Sequence, residues 1–156
     1  MSNNQNDAYR ALRITPASVT APALIDLSAA KVVNGAGQTA GFSFAVFDAA
    51  GEMVSEATSD ENGSILFPTF KLQARPASYL YTIRELDESG GGWTMDSRSI
   101  PAIVTTVLGD RNNLLVESID YPEGYPTFTN TYEGPYNPGN CCCRPCCCNP
   151  CCRRCR

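Results

Sequence analysis

Residues 79–86 read YLYTIREL, and this alternation of large apolar and polar side chains is typical of a strand with one buried face. Three side chains form the apolar face, those of Tyr79, Tyr81 and Ile83. Glu85 is the next residue on that face. Strand periodicity therefore predicts that a carboxyl group points into the core.

Two further strand-like segments carry a polar residue on their apolar face. In residues 24–33, Lys31 shares a face with four apolar side chains, those of Ile25, Leu27, Ala29 and Val33. In residues 127–132, Asn130 shares a face with Phe128 and Tyr132. The same periodicity predicts that an amine and a carboxamide also point inward.

These three groups together suggest a covalent reaction. Burial disfavours charge, so it lowers the pKa of Lys31 and raises that of Glu85, which leaves a nucleophilic amine and a protonated acid. The amine could then attack the Asn130 carboxamide and expel ammonia, while Glu85 polarises and protonates that carboxamide. The alternative from the residues alone is an ordinary buried ion pair of Lys31 and Glu85, with Asn130 as a hydrogen-bond partner.

The sequence around these residues resembles the Gram-positive pilin isopeptide-linkage domain, the streptococcal pilin type related to collagen-adhesin B-type modules. The similar segments occur in family order over roughly residues 22–133. They are KVVNG (31–35), GFSFAVFDAAGEMV (41–54), SDENGSILFPTF (59–70), YLYTIREL (79–86), GDRNNLLVESIDY (109–121) and PTFTNTY (126–132). The resemblance implies that Lys31 and Asn130 form the isopeptide bond and that Glu85 is its catalytic acid.

The fold class follows from several short strands separated by turns. About eight strands are predicted, over residues 24–33, 41–48, 52–58, 64–70, 78–87, 99–108, 113–121 and 126–132. No segment shows a sustained helical period. The sequence therefore predicts an all-β, immunoglobulin-like two-sheet sandwich over residues 21–133.

Composition argues against an ordinary enzyme. The chain has no histidine, which removes the commonest general base, and it has no glycine-rich phosphate loop. Self-cross-linking would be a single event without turnover. Only two lysines occur, Lys31 and Lys71, so an inward lysine is a notable feature. Lys71 is interpreted as a solvated lysine rather than a linkage site.

Two terminal regions lie outside the predicted sandwich. Residues 1–20 form a polar leader, expected to be flexible or to dock on a neighbouring subunit, with no visible secretion signal. No segment is long and apolar enough to span a membrane, and no sorting motif is visible. Residues 134–140 form a linker rich in proline, glycine and asparagine. Residues 141–156 form a basic, cysteine-rich tail.

All nine cysteines occur in this tail. They are Cys141, Cys142, Cys143, Cys146, Cys147, Cys148, Cys151, Cys152 and Cys155. An odd number of thiols in a short proline-interrupted segment favours disulfides between chains. Three C-x-x-C pairs also suit zinc or copper(I), so a metallothionein-like tail is the main alternative. Lipidation and an accidentally biased, disordered tail are the remaining interpretations.

Taken together, the sequence predicts a structural surface subunit of a pilus, appendage or spore coat. Its expected partners are other such subunits, in a homo-oligomer joined by disulfides, with no nucleic acid. The expected location is the bacterial cell or spore surface. The alternatives are a metal-binding protein and an adhesin whose loops bind a ligand.

Overall fold

A computed structural model describes residues 18–134, which contain eleven strands and one 3-10 turn. The predicted leader and the cysteine tail fall outside this range, apart from residues 18–20. The strands are β1 (Ala23–Ile25), β2 (Ser28–Gly35), β3 (Ser43–Phe47), β4 (Met53–Thr58), β5 (Ser64–Leu66), β6 (Phe70–Leu72), β7 (Ser78–Glu85), β8 (Trp93–Thr94), β9 (Ser99–Leu108), β10 (Leu114–Asp120) and β11 (Thr127–Tyr132).

The strands form two main sheets that enclose one apolar core. One sheet has five strands in the order β10-β9-β7-β3-β4, and the other has four in the order β5-β2-β11-β8. Phe44 of β3 packs against Phe128 of β11 with ring centroids 5.1 Å apart, so aromatic side chains join the two inner faces. This arrangement confirms the predicted all-β, immunoglobulin-like sandwich.

Two of the predicted strands are each divided in two. Residues 24–33 become β1 and β2, and residues 64–70 become β5 and β6. β1 pairs with β6 in a small separate sheet, whereas β2 pairs with β5. At the break, the Thr69 hydroxyl donates to the Asp26 carboxylate. Both predicted strands are interrupted at the same point along their pairing. On one side of this point the pair belongs to the four-stranded sheet as β2 and β5, and on the other side it forms the separate sheet of β1 and β6. β8 was not predicted, because two residues are too few for an alternation.

β2 and β11 lie side by side and run parallel, with Ala30 opposite Thr127 and Gly35 opposite Tyr132. The chain therefore enters β2 at one end of the sandwich and leaves β11 at the other. Lys31 lies opposite Phe128, and Asn130 is two residues further along the adjacent strand. This register places Lys31 and Asn130 on the same face of neighbouring strands.

Gly63 holds the backbone of Lys31 in place. Its carbonyl oxygen accepts the Lys31 N–H at 2.6 Å, and its φ is +77°. A Cβ at this position would collide with the Lys31 carbonyl oxygen. Glycine is therefore required at residue 63 both for the left-handed backbone and for the close approach of β2.

We predict that Gly63→Ala destabilises the fold more than Gly51→Ala does. Gly51 has a similar φ of +82° but open space around it, so its substitution costs only about 1–2 kcal/mol of backbone strain. Gly63→Ala adds a steric clash, for which overpacking costs of about 1–3 kcal/mol are typical. Urea unfolding of both variants measures the difference. Equal destabilisation would show that the contact with Lys31 is unimportant.

Candidate functional site

The three polar residues predicted to point inward meet between the two sheets. Lys31 and Asn130 come from the four-stranded sheet, and Glu85 comes from the end of β7 in the five-stranded sheet. Lys31 and Asn130 are 3% and 0% exposed, and the side chain of Glu85 is 0% exposed. Strand alternation therefore predicted correctly that all three side chains are buried.

Glu85 contacts the side-chain nitrogen atoms of both other residues. The Lys31 amine donates to the two carboxyl oxygens at 3.0 and 3.2 Å. The Asn130 Nδ2 donates to the same carboxyl group at 2.6 Å. Glu85 thus connects the amine to the carboxamide nitrogen, which is the leaving group of an amide exchange.

Other contacts fix the orientation of the Asn130 carboxamide. The backbone N–H of Asp96 donates to Asn130 Oδ1 at 2.8 Å, and the Met95 sulfur accepts a hydrogen bond from Nδ2 at 2.8 Å. A backbone N–H can only donate, so the atom facing Asp96 must be the oxygen. The nitrogen is consequently directed towards Glu85 and Met95.

Burial favours the neutral form of the Lys31 amine, whereas the aromatic rings beside it favour the charged form. The Lys31 Nζ lies 4.7 Å from the ring centroid of Phe42 and 5.6 Å from that of Phe44. Burial lowers the pKa of Lys31 and raises the pKa of Glu85, although their mutual attraction opposes both shifts. A neutral amine beside a protonated acid contains the same protons as the ion pair. Moving one proton between the residues interconverts the two states.

Asp96 and Arg98 complete the site, and the sequence analysis did not find them. The Asp96 carboxylate accepts the Thr129 N–H at 2.9 Å and pairs with the Arg98 guanidinium at 2.6 Å. Arg98 also donates to the Thr127 carbonyl oxygen at 2.6 Å. The loop that precedes β9 is therefore attached to β11 on both sides of Phe128. Its residues show no alternation, so strand periodicity could not identify them.

An open cleft of about 430 Å³ lies next to the site. Glu85, Met95 and Asp96 are among its lining residues. Within residues 18–134, every fully buried side-chain nitrogen and oxygen has a hydrogen-bond partner. The buried polar cluster is thus internally satisfied and still borders on solvent.

The family model of the Spy0128-like isopeptide containing domain matches residues 27–133. The chain belongs to this family. The match covers more than half of the chain and includes Lys31, Glu85 and Asn130. The resemblance to a Gram-positive pilin isopeptide domain is therefore confirmed. No curated protein matches the chain.

Solved structures with a similar fold include the major pilin from Streptococcus pyogenes. That structure is 15% identical, has a TM-score of 0.50, and aligns over 69% of this chain and 50% of the pilin chain. Two mutants of the same pilin are 13% and 14% identical, each with a TM-score of 0.49 and the same coverage. The chain thus spans about half the length of the pilin it matches, and the likeness concerns the fold.

Among residues 18–134, no helix is long and apolar enough to cross a membrane. The same range contains no group of three or more residues suited to hold a metal ion. The nine tail cysteines lie outside it, so their predicted disulfides or metal sites stay predictions.

We predict that Asp96 makes the free energy of unfolding depend on pH in the acidic range. Burial alone would raise its pKa, but hydrogen bonds from Arg98 and Thr129 lower the pKa from 3.8 to about 2. A carboxylate with a lowered folded-state pKa stabilises the fold above about pH 4, and this contribution is lost as the pH falls towards 2. At about 1.4 kcal/mol per pKa unit, it amounts to about 2–3 kcal/mol. Urea unfolding between pH 5 and about pH 2 should show a shallower loss in Asp96→Asn. Identical slopes would contradict the prediction.

Proposed function

We propose that this chain is a structural subunit of a bacterial surface assembly, whose sandwich forms an amide bond between Lys31 and Asn130. Family membership supports the bond, because the matching domain is described as containing an isopeptide. The observation that carries the proposal is the position of Glu85. Its carboxyl group contacts both the nitrogen that would attack and the nitrogen that would leave.

The proposed reaction exchanges one amide for another. The neutral Lys31 amine attacks the side-chain carbonyl carbon of Asn130, and the new C–N bond forms as the carbonyl oxygen gains negative charge. Glu85 accepts a proton from the attacking nitrogen and delivers a proton to Nδ2. The original C–N bond then breaks, ammonia leaves, and the carbonyl re-forms. Atoms and protons balance without an external reagent.

The contacts support a narrower role for Glu85 than the sequence suggested. The sequence analysis assigned it both the polarisation of the carbonyl and proton transfer. Its hydrogen bonds, however, go to the two nitrogen atoms, whereas the carbonyl oxygen accepts a backbone N–H. We therefore assign Glu85 the transfer of protons between the two nitrogens. The adjoining cleft is lined by Glu85 and Met95, which both contact Asn130 Nδ2, and it would be the route by which ammonia leaves.

The bond would act mechanically because of where it lies. Force that pulls the two ends of the sandwich apart loads β2 and β11 in opposite directions. A covalent link from Lys31 to Asn130 would carry this force directly and leave the strands between them unloaded. It would also restrict the unfolded chain, and loop-entropy arguments for a loop of roughly 100 residues give about 4 to 5 kcal/mol.

We predict that the fully reduced, metal-free protein is lighter than its calculated mass by one ammonia, and that Lys31→Ala has its full calculated mass. Glu85→Gln should also keep the full mass, because a carboxamide of similar shape cannot transfer the proton. Both variants should melt at substantially lower temperature than the parent. Intact mass spectrometry and thermal unfolding measure these outcomes.

The matched controls are Lys71→Ala and Glu56→Gln. Lys71 is the other lysine of the chain, and both Lys71 and Glu56 are exposed. Both controls should retain the ammonia deficit and the parent melting temperature. A parent protein with its full calculated mass would overturn the proposed bond and leave a buried ion pair.

We further propose that the cysteine tail joins subunits through disulfides. All nine thiols are concentrated within residues 141–155, and none occurs in the sandwich. Adjacent cysteines pair poorly with each other, which favours partners in another chain. The three C-x-x-C pairs favour bound zinc or copper(I) as the second candidate.

We predict that oxidised protein forms a ladder of oligomers on a non-reducing gel and that a reductant collapses the ladder to the monomer. A full-length variant with serine at all nine tail positions should run as a monomer under both conditions. Metal analysis of the reduced protein tests the second candidate. Monomers together with stoichiometric bound metal, lost in the serine variant, would contradict the cross-linking role.

A further inference from the structure

The proposed reaction places negative charge on an atom that Glu85 does not contact. When the amine attacks, the charge develops on Asn130 Oδ1. Preorganised hydrogen-bond donors aimed at such an atom are commonly the largest contribution to acyl-transfer catalysis. The donor to Oδ1 in this site is the backbone N–H of Asp96, at 2.8 Å.

We propose that the Asp96 backbone N–H is an oxyanion-stabilising group for isopeptide formation, and that the Asp96 side chain, held by Arg98 and Thr129, positions it. This inference rests on the proposed function, because it concerns the same reaction. It assigns a catalytic group in the loop before β9, outside the Lys–Glu–Asn set.

Asp96 attaches the loop before β9 to β11 through two hydrogen bonds. The Asp96 carboxylate accepts the N–H of Thr129, the residue immediately before Asn130, at 2.9 Å. The Asp96 backbone N–H meanwhile donates to the side chain of Asn130 itself. Two hydrogen bonds from one residue to consecutive residues of β11 fix the donor relative to its acceptor. The carbonyl oxygen therefore has little freedom to move away from the N–H.

Arg98 holds the carboxylate in turn. Its guanidinium contacts both Asp96 carboxyl oxygens, with the shortest distance 2.6 Å, and also the Thr127 carbonyl oxygen at 2.6 Å. The Arg98 backbone N–H donates to the same carboxylate at 3.1 Å. The Asp96 side chain is only 6% exposed, whereas that of Arg98 is 56% exposed, so a buried carboxylate is held by a guanidinium that borders on solvent. Such a rigid setting is what a preorganised donor requires.

The direct test replaces the amide between Met95 and Asp96 by an ester. Cell-free synthesis of the full chain with the α-hydroxy analogue of aspartate at position 96 changes the N–H to an oxygen and keeps the side chain. The matched control carries the α-hydroxy analogue of alanine at position 50, whose N–H donates at 2.9 Å to Asp48 in an exposed turn. Synthesis is stopped, and aliquots are denatured over time.

The readout is the rate at which folded molecules lose ammonia. Protease resistance counts the folded molecules, and intact mass counts the cross-linked ones. Loss of one oxyanion-hole donor typically slows a reaction by about 10²–10³-fold, so we expect a decrease of that order for the position 96 ester. The position 50 ester should react at the parent rate. A position 96 ester that reacts within about threefold of the parent rate would overturn the proposal.

Side-chain variants test the positioning role and apply even if the ester fails to fold. Asp96→Ala retains the N–H but loses the attachment to Thr129, so we expect cross-linking to slow by at least about 10-fold. Asp96→Asn should recover part of the rate, because its amide oxygen can still accept the Thr129 N–H. Asp48→Ala, the control, removes a carboxylate from a distant turn. Equal rates for Asp96→Ala and the parent would contradict positioning.

The outcomes separate this inference from the proposed function. A parent protein that never loses ammonia would overturn both. The parent could instead cross-link at the same rate as the position 96 ester and Asp96→Ala. That outcome would support the isopeptide and overturn only the role of Asp96.

Discussion

The structure depends on a carboxyl group buried between an amine and a carboxamide. Glu85 has no exposed side-chain surface, and a carboxyl group in that position needs hydrogen-bond partners or a strongly shifted pKa. Its hydrogen-bond partners are Lys31 and Asn130, and burial raises its pKa although these contacts oppose the shift. Because the two partners come from one sheet and Glu85 from the other, the polar cluster can form only when the sandwich is closed. Closure of the sandwich is therefore required both for the fold and for the site.

The parallel pairing of β2 and β11 determines how much of the chain a bond in this cluster would enclose. In the described part of the chain, β2 is the second strand and β11 the last, yet they are immediate neighbours. A bond between their side chains encloses nearly the whole sandwich. The same bond placed in a hairpin would enclose only a few residues and would add little to unfolding resistance, because the entropic effect grows with loop length. The strand topology thus determines how much a single amide bond can contribute to resistance against unfolding.

Sequence reasoning could find the parts of the site that follow a local rule. Lys31, Glu85 and Asn130 lie on regular strands, so period-2 alternation identified their direction, and the family segments around them implied their roles. It could not find Asp96, because what matters there is a backbone N–H in an irregular loop, and every residue type except proline has one. The divided strands escaped detection for a similar reason. The break at Asp26 arises from a partner strand that bends at the same level, which is a tertiary effect.

The energetic cost of the unreacted cluster also suggests why the reaction would run to completion. Before reaction, two ionisable groups share a buried, aromatic-lined site, where the cost of removing them from water can exceed the gain from their pairing. Amide formation would convert the amine, which can take up a proton, into an amide nitrogen that cannot, and would release the other nitrogen as ammonia towards the cleft. Glu85 would then remain beside an uncharged amide. The desolvation cost that makes the amine nucleophilic would thus be smaller in the cross-linked product. Escape of ammonia to solvent would make the step irreversible. The desolvation cost of the buried cluster would therefore contribute to the driving force for the proposed bond.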